Sequence, residues 1–331
     1  MRLVTFRRHE ALRLGVGLGG EAILDLAATA ALAGAAEPAF GSMQSLIDGG
    51  ERALDRARLL AASPPDEAVL SSTEVRLTAP LPTPMQIRDF SAFEEHMLQA
   101  GRVVFHMNAL RAGKPLPDEP FALPQVWYDQ PIYYKANRFA VGNPGDDVAW
   151  PSFSRVADYE LEMAAVIGRA GRDIPASRAR EHIFGYTIYN DFSARDAQGV
   201  EMSGPFGPAK SKDFDGSIVL GPCIVTADEM PDPYRARMTA TVNGELWSEG
   251  SMSTIHWRFE DMIAHVSAGE TIYPGEVFGS GTVGGGCGLE LRRFLSDGDV
   301  VELRIEGIGA IRNRVRGAHL QGGSFGDATP G

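Results

Sequence analysis

The stretch Y-E-L-E-M-A-A-V-I-G-R, residues 159–169, decides how the chain is read. Two carboxylates, Glu160 and Glu162, open a run that is otherwise apolar: Met163, Ala164, Ala165, Val166 and Ile167. A half-exposed strand alternates polar and apolar along its length, whereas a strand covered on both faces reads as a continuous apolar run. This stretch stops alternating after Glu162, which predicts a strand buried on both faces. Side chains at i and i+2 leave a strand on the same face. Glu160 and Glu162 therefore stand side by side, and like charges so placed repel unless a proton or a cation sits between them.

Working outward, the composition is that of an ordinary globular chain: 331 residues, 44% hydrophobic and 22% charged. That length suits one large domain or two. The net charge of −12, with no run of five Lys/Arg, argues against nucleic acid as the main partner. The two cysteines, Cys223 and Cys287, form no C-x-x-C spacing, which fits a reducing, cytoplasmic setting. The opening MRLVTFRRHE lacks an apolar h-region and no stretch of 18 apolar residues follows. Neither a signal peptide nor a membrane span is expected. The 38 glycines and 21 prolines point to a strand-rich, turn-rich fold.

Residues 1–30 read as short strands, with a hairpin around Gly19-Gly20. Residues 41–62 have a helical pattern despite Gly49-Gly50, and the break SPPDE (63–67) follows. A soft boundary near residue 75 separates a small N-terminal α/β module (1–75) from the main domain (76–331). Residues 89–111 have helical spacing, and residues 112–150 are rich in breakers. SRAREHIFG predicts a helix closed by Gly185, and GYTIYND a second strand. The Gly/Pro-rich loop 198–216 is of the kind that carries function. SIVLGPCIVT returns as a strand, and a hairpin around Asn243-Gly244 opens a β-rich half. STIHWRFEDMIAHVSA predicts a helix, and GDVVELRIEGIGAIRNRV the closing strands. The fold class expected is α+β, rich in β.

Four groups could carry chemistry: the Glu160/Glu162 pair, NDFSARDAQ (190–198), KSKDFDG (210–216) and RDFSAFEEH (88–96). If the second turns helical, Asp191, Arg195 and Gln198 share one face; on a helix, Asp89 and His96, seven apart, do too. Glutamates and aspartates together make an all-oxygen site, which hard cations such as Mg²⁺, Mn²⁺ or Ca²⁺ prefer. Arg195, Gln198 and Lys212 would then donate to a substrate carboxylate or an oxyanion, and His96 would act as base. Each group has an ordinary alternative. An E-x-E is usually a solvated strand face, Asp191–Arg195 a local ion pair, and a single His or Lys a surface residue. GSGTVGGG (279–286) resembles a phosphate cradle, but no P-loop lysine follows it.

Taken together and in order, RDFSAFEEH, YELEMAAVIGR, IYNDFSARDAQ, the K-x-F-D-G loop (212–216) and GSGTVGGGCGLE (279–290) resemble the fumarylacetoacetate hydrolase family, over roughly residues 80–315. Within that family the chain resembles bacterial 2-keto-4-pentenoate hydratases and acylpyruvate hydrolases. The resemblance implies a rolled β-sheet core with one divalent cation, Mg²⁺ by preference, at its mouth. It assigns the cation to Glu160, Glu162, Asp191 and Asp89. It makes His96 the catalytic histidine, oriented by Glu290, and Lys212 a catalytic oxyanion donor. Arg195, Gln198 and Tyr134 fall on substrate-binding positions. One departure stands out: family members often carry threonine four residues after the loop lysine, where this chain has Gly216 followed by Ser217. The implied reaction is metal-assisted hydrolysis of a carbon–carbon bond in a β-diketone such as an acylpyruvate. The same scaffold also hosts decarboxylation, keto–enol isomerisation and hydration of small keto acids. A homodimer acting on a small diketo acid, with no nucleic acid or membrane partner, is the expectation.

Overall fold

The structure is a computed structural model that describes the chain except residues 21, 112, 117, 118, 321 and 325–331; for residues 107, 108, 110, 111 and 324 it describes the backbone alone. Leu161–Ile167 is a strand buried at every position. Its odd and even residues enter different cores, which is why the run does not alternate. Leu161, Met163, Ala165 and Ile167 pack into one cluster with Leu303, Ile305, Ile311 and Val315. Ala164 and Val166 pack on the opposite face with Leu46, Ile47, Leu54 and Ala57. Fully burying such a side chain contributes roughly 1.5–3 kcal/mol, so both coverings are strongly held.

The strand lies inside a 12-stranded mixed sheet. It pairs antiparallel with Ile183–Asp191 on one side and with Glu276–Gly279 on the other. Glu276–Gly279 runs parallel to Gln86–Phe90, which pairs antiparallel with Tyr133–Ala136. Beyond Ile183–Asp191 lies Ile218–Thr226, to which Arg2–Arg8 adds antiparallel. The strands of residues 1–75 therefore extend the same sheet, and the helices Met43–Asp48 and Gly50–Ala61 cover one of its faces. A five-stranded sheet, including Arg237–Val242, Val300–Ile305 and Gly309–Arg316, supplies the cover of the other face. No helix among the described residues is long and apolar enough to cross a membrane.

Several elements differ from their sequence-based expectation. Asp89 lies on the strand Gln86–Phe90, and the helix begins only at Glu94. Backbone pairing of Asp89 with Gly279 and Tyr134 outweighs the helical spacing of residues 90–107. Ala176–His182 is a 3₁₀ helix, and Gly185 sits within a strand. A Cβ at Gly185 would fall 2.3 Å from the Val225 carbonyl oxygen, so this glycine permits a close strand approach and caps no helix. The helix expected over 253–268 is confined to Phe259–Ser267. Residues 112–150 carry the helix Gln125–Asp129 and the strand Tyr133–Ala136.

Candidate active site

The acidic residues gather on one face of the large sheet, at one end of its strands. Glu162 shares its face with Ala164 and Val166, Asp89 with Ile87, and Asp191 with Tyr189. Elsewhere the N-terminal helices cover that face; at the site it is lined by carboxylates. Asp89, Glu162 and Asp191 are all buried and offer oxygens within 4.8 Å of one another. Gly279 makes this approach feasible. It stands between Ala164 and Asp89 in the sheet, and a Cβ there would fall 2.3 Å from Asp89 Oδ1 and 3.3 Å from Glu162 Oε2.

Burial, reinforced by the charge of Asp191, holds the Asp89 carboxyl well above the usual range. Burial and the charge of Asp89 do the same to Glu162. These two acids keep a proton between them unless a cation replaces it. Gly281 N and Thr282 Oγ1 donate to Glu162 at 3.1 and 3.3 Å. Asp89 Oδ1 and Asp191 Oδ1 are buried with no hydrogen-bond partner among the described residues. Unpartnered buried oxygens are rare because they forfeit solvation without return. An all-carboxylate set with free lone pairs fits a hard divalent cation.

Glu160 is neutralised differently. Lys212 Nζ donates to Glu160 Oε2 at 2.5 Å and also to Asp191 Oδ2. Arg195 Nη2 stands 2.8 Å from Glu160 Oε1. Burial alone would raise the Glu160 pKa, but Lys212, Arg195 and His96 outweigh it and bring it down to about 2. Lys212 is itself buried, and Asp191 and Glu160 hold its ammonium protonated against that burial. Its backbone carbonyl accepts from Ser217 Oγ at 2.6 Å, so the hydroxyl after Gly216 braces the lysine loop. Tyr134 donates to Asp191 Oδ2 at 2.6 Å.

Arg195 and Gln198 share the short helix Arg195–Glu201, and Arg195 Nη1 donates to Gln198 Oε1 at 2.8 Å. Asp191 ends the strand Ile183–Asp191, as GYTIYND predicts, so the helical face conditional on 190–198 turning helical holds Arg195 and Gln198 alone. His96 comes in from the first turn of Glu94–Arg111. Its Nδ1 stands 3.0 Å from Glu290 Oε2. Glu290 is held in turn by the Gly285 amide at 3.0 Å. Contacts and charge interactions thus link all ten residues singled out in the sequence around one group of buried carboxylates.

One member of this group escapes the sequence reading. Asp158 is fully buried, accepts from Arg195 Nε at 2.7 Å, and accepts from the Gly288 and Leu289 amides at 2.7 and 2.9 Å. It ties the arginine to the segment that carries Glu290. The signal was present one residue before the quoted stretch: D-Y-E-L-E places Asp158, Glu160 and Glu162 at alternate positions.

The fumarylacetoacetate hydrolase C-terminal family model matches residues 87–316. Human mitochondrial oxaloacetate tautomerase FAHD2A is 34% identical over 325 residues, covering 95% of this chain and 91% of the relative. The oxaloacetate tautomerase YisK of Bacillus subtilis is 29% identical and covers 95% of this chain and 100% of the relative. Among solved structures, fumarylacetoacetate hydrolase from Exiguobacterium antarcticum superposes with a TM-score of 0.71 at 28% identity, covering 96% of this chain and 99% of the other. The matched segment spans every site residue from Asp89 to Glu290, and the chain belongs to the fumarylacetoacetate hydrolase family.

Proposed function

We propose that the chain is a metal-dependent keto–enol tautomerase of a small 2-oxo dicarboxylate, with oxaloacetate the first candidate. The likeness to human oxaloacetate tautomerase, at 34% identity over nearly the whole of both chains, carries the choice of reaction. The site supports it chemically. Asp89, Glu162 and Asp191 would hold one divalent cation, Mg²⁺ by preference and Mn²⁺ or Ca²⁺ by the same donor logic. When bound, such a cation supplies Lewis-acid polarisation of a substrate oxygen.

The chain's own residues do the rest. Tautomerisation moves one proton between carbon 3 and the neighbouring oxygen and consumes no water. His96 is the carrier: it takes the proton from one atom and returns it to the other. Glu290 Oε2, 3.0 Å from Nδ1, leaves Nε2 as the exchanging nitrogen. Lys212 places a buried positive charge beside the carboxylates, where it stabilises negative charge developing on the substrate oxygen. Gln198 and Arg195, bracketed by Asp158, present donors to a substrate carboxylate.

A second reading, hydrolysis of a carbon–carbon bond in an acylpyruvate, draws on the His96–Glu290 contact, since a carboxylate-oriented histidine is also the arrangement that activates water. One experiment separates the two. The protein is stripped with EDTA, reloaded with Mg²⁺ or Mn²⁺, and offered the enol of oxaloacetate, fumarylpyruvate and fumarylacetoacetate while enol absorbance is followed. The tautomerase reading expects metal-dependent loss of oxaloacetate enol with total oxaloacetate conserved. Two carboxylic acid products from an acylpyruvate, with no acceleration on oxaloacetate, would overturn it in favour of the hydrolase.

A further inference from the structure

Next to the carboxylate trio lies a second convergence of donor atoms, with different chemistry. His96, Cys287 and Glu290 each offer one ligand atom, and these atoms lie within 4.8 Å of one another. Glu290 Oε2 is common to both contacts, 3.0 Å from His96 Nδ1 and 3.2 Å from Cys287 Sγ. His96 Nδ1 is buried, and its approach to Glu290 is too poorly aligned for a good hydrogen bond. His96 comes from the helix Glu94–Arg111, whereas Cys287 caps the N-terminus of the helix Gly288–Leu291 that carries Glu290.

An imidazole nitrogen, a thiol sulfur and a carboxylate oxygen make the mixed donor set of zinc, whereas the neighbouring all-oxygen trio suits a harder cation. Zinc bond lengths in tetrahedral geometry put nitrogen and oxygen ligands roughly 3.3 Å apart and sulfur and oxygen ligands roughly 3.5 Å apart. The observed 3.0 and 3.2 Å need to open by only a few tenths of an ångström. Three protein ligands leave a fourth position for water.

We propose that His96, Cys287 and Glu290 form a second, thiolate-containing site that takes Zn²⁺ and thereby withdraws His96 from proton transfer. On coordination the Cys287 thiol loses its proton to solvent, and the imidazole lone pair goes to the metal. Zinc then opposes the activity that a hard cation in the carboxylate trio sustains. The inhibitory consequence rests on the proposed role of His96; the binding does not.

Cobalt reports on both parts. Co²⁺ bound only by oxygens absorbs weakly, whereas a Co²⁺–thiolate bond adds an intense near-ultraviolet charge-transfer band. Titration of the stripped full-length protein is expected to produce that band and Zn²⁺ to abolish it. Cys287→Ser is expected to lose the band and His96→Ala to weaken Zn²⁺ binding at least tenfold. No band in the wild type, or an undiminished band in Cys287→Ser, would overturn the site, the latter by moving the thiolate to Cys223. Unchanged Zn²⁺ affinity in His96→Ala would overturn it without relying on the cysteine variant. A band unaccompanied by Zn²⁺ inhibition of the Mg²⁺-loaded enzyme upholds the site and overturns the role given to His96.

Discussion

Arg88 and Asp89 are neighbours on one strand, yet they point to opposite faces of the sheet into two different buried charge clusters. On the Arg88 face, the guanidinium donates to Glu276 and Glu270 and lies 5.6 Å from the centre of the Phe278 ring. Burial raises the Glu276 carboxyl, and Arg88 counters that only in part. Glu270 is 43% exposed and keeps part of its hydration. In the site that Asp89 enters, six carboxylates with buried side chains, Asp89, Asp158, Glu160, Glu162, Asp191 and Glu290, stand with two buried cations, Lys212 and Arg195. Buried charge alone is therefore no mark of a functional site, because structural ion pairs are buried too. The mark is the imbalance, together with the two carboxylate oxygens left without partners.

The comparison breaks first at Glu162. Glu162→Gln removes one of the proposed cation ligands and is expected to lower kcat/KM by roughly 10³-fold or more, the scale of losing Lewis-acid assistance. The same change relieves repulsion with Asp89, so the metal-free variant melts at a higher temperature than the metal-free parent in EDTA. Thermal melting alongside steady-state kinetics checks both halves. His96→Ala comes next, with a loss in kcat of roughly 10²-fold or more while cation binding at the trio is retained, measured by kinetics and calorimetry together.

Gly279→Ala places a methyl group against Asp89 Oδ1. It weakens the activating cation by roughly 10- to 100-fold and acts less on kcat once the cation saturates; activity titrated with Mg²⁺ reads this directly. On the other face, Glu276→Gln leaves Arg88 short of a buried partner and costs about 3–5 kcal/mol of stability, yet leaves kcat/KM of the folded protein unchanged. Chemical denaturation and kinetics on one sample test that split.

The smallest effect is in pH. Asp89 and Glu162 have folded pKa values above their ordinary ones, so the stability they contribute is full at low pH and is lost as pH rises through those raised values. Glu160, lowered to about 2, acts in the opposite sense: its contribution is present above the ordinary glutamate range and is lost as pH falls toward 2. The melting temperature of the EDTA-treated protein against pH should therefore fall on the alkaline side, and a saturating divalent cation should flatten that limb.

Much of this was legible in the sequence because strand periodicity is local. The apolar run after Glu162 predicts a doubly covered strand, whereas Glu160 lies just before that strand, on an isolated bridge to Cys287. What could not be read was which neighbour neutralises which acid. Glu160 meets Lys212 and Arg195, and Glu162 meets Asp89, through contacts 35 to 73 residues apart that only the sheet order sets. Asp89 reads as helical because short apolar segments at a strand end mimic helical spacing, and cross-strand pairing decides it, whereas Asp191 ends a strand as GYTIYND predicts. Asp158 lies just outside the motif that begins at Tyr159. Its partners, the Gly288 and Leu289 amides, lie 130 and 131 residues away.

The most direct test is calorimetric titration of the EDTA-stripped protein with Mn²⁺, run on the wild type, Glu162→Gln and Glu276→Gln. One tight equivalent is expected in the wild type, retained in Glu276→Gln and lost in Glu162→Gln. Undiminished Mn²⁺ binding in Glu162→Gln would contradict it, because the imbalance of charge on the Asp89 face would then have another purpose.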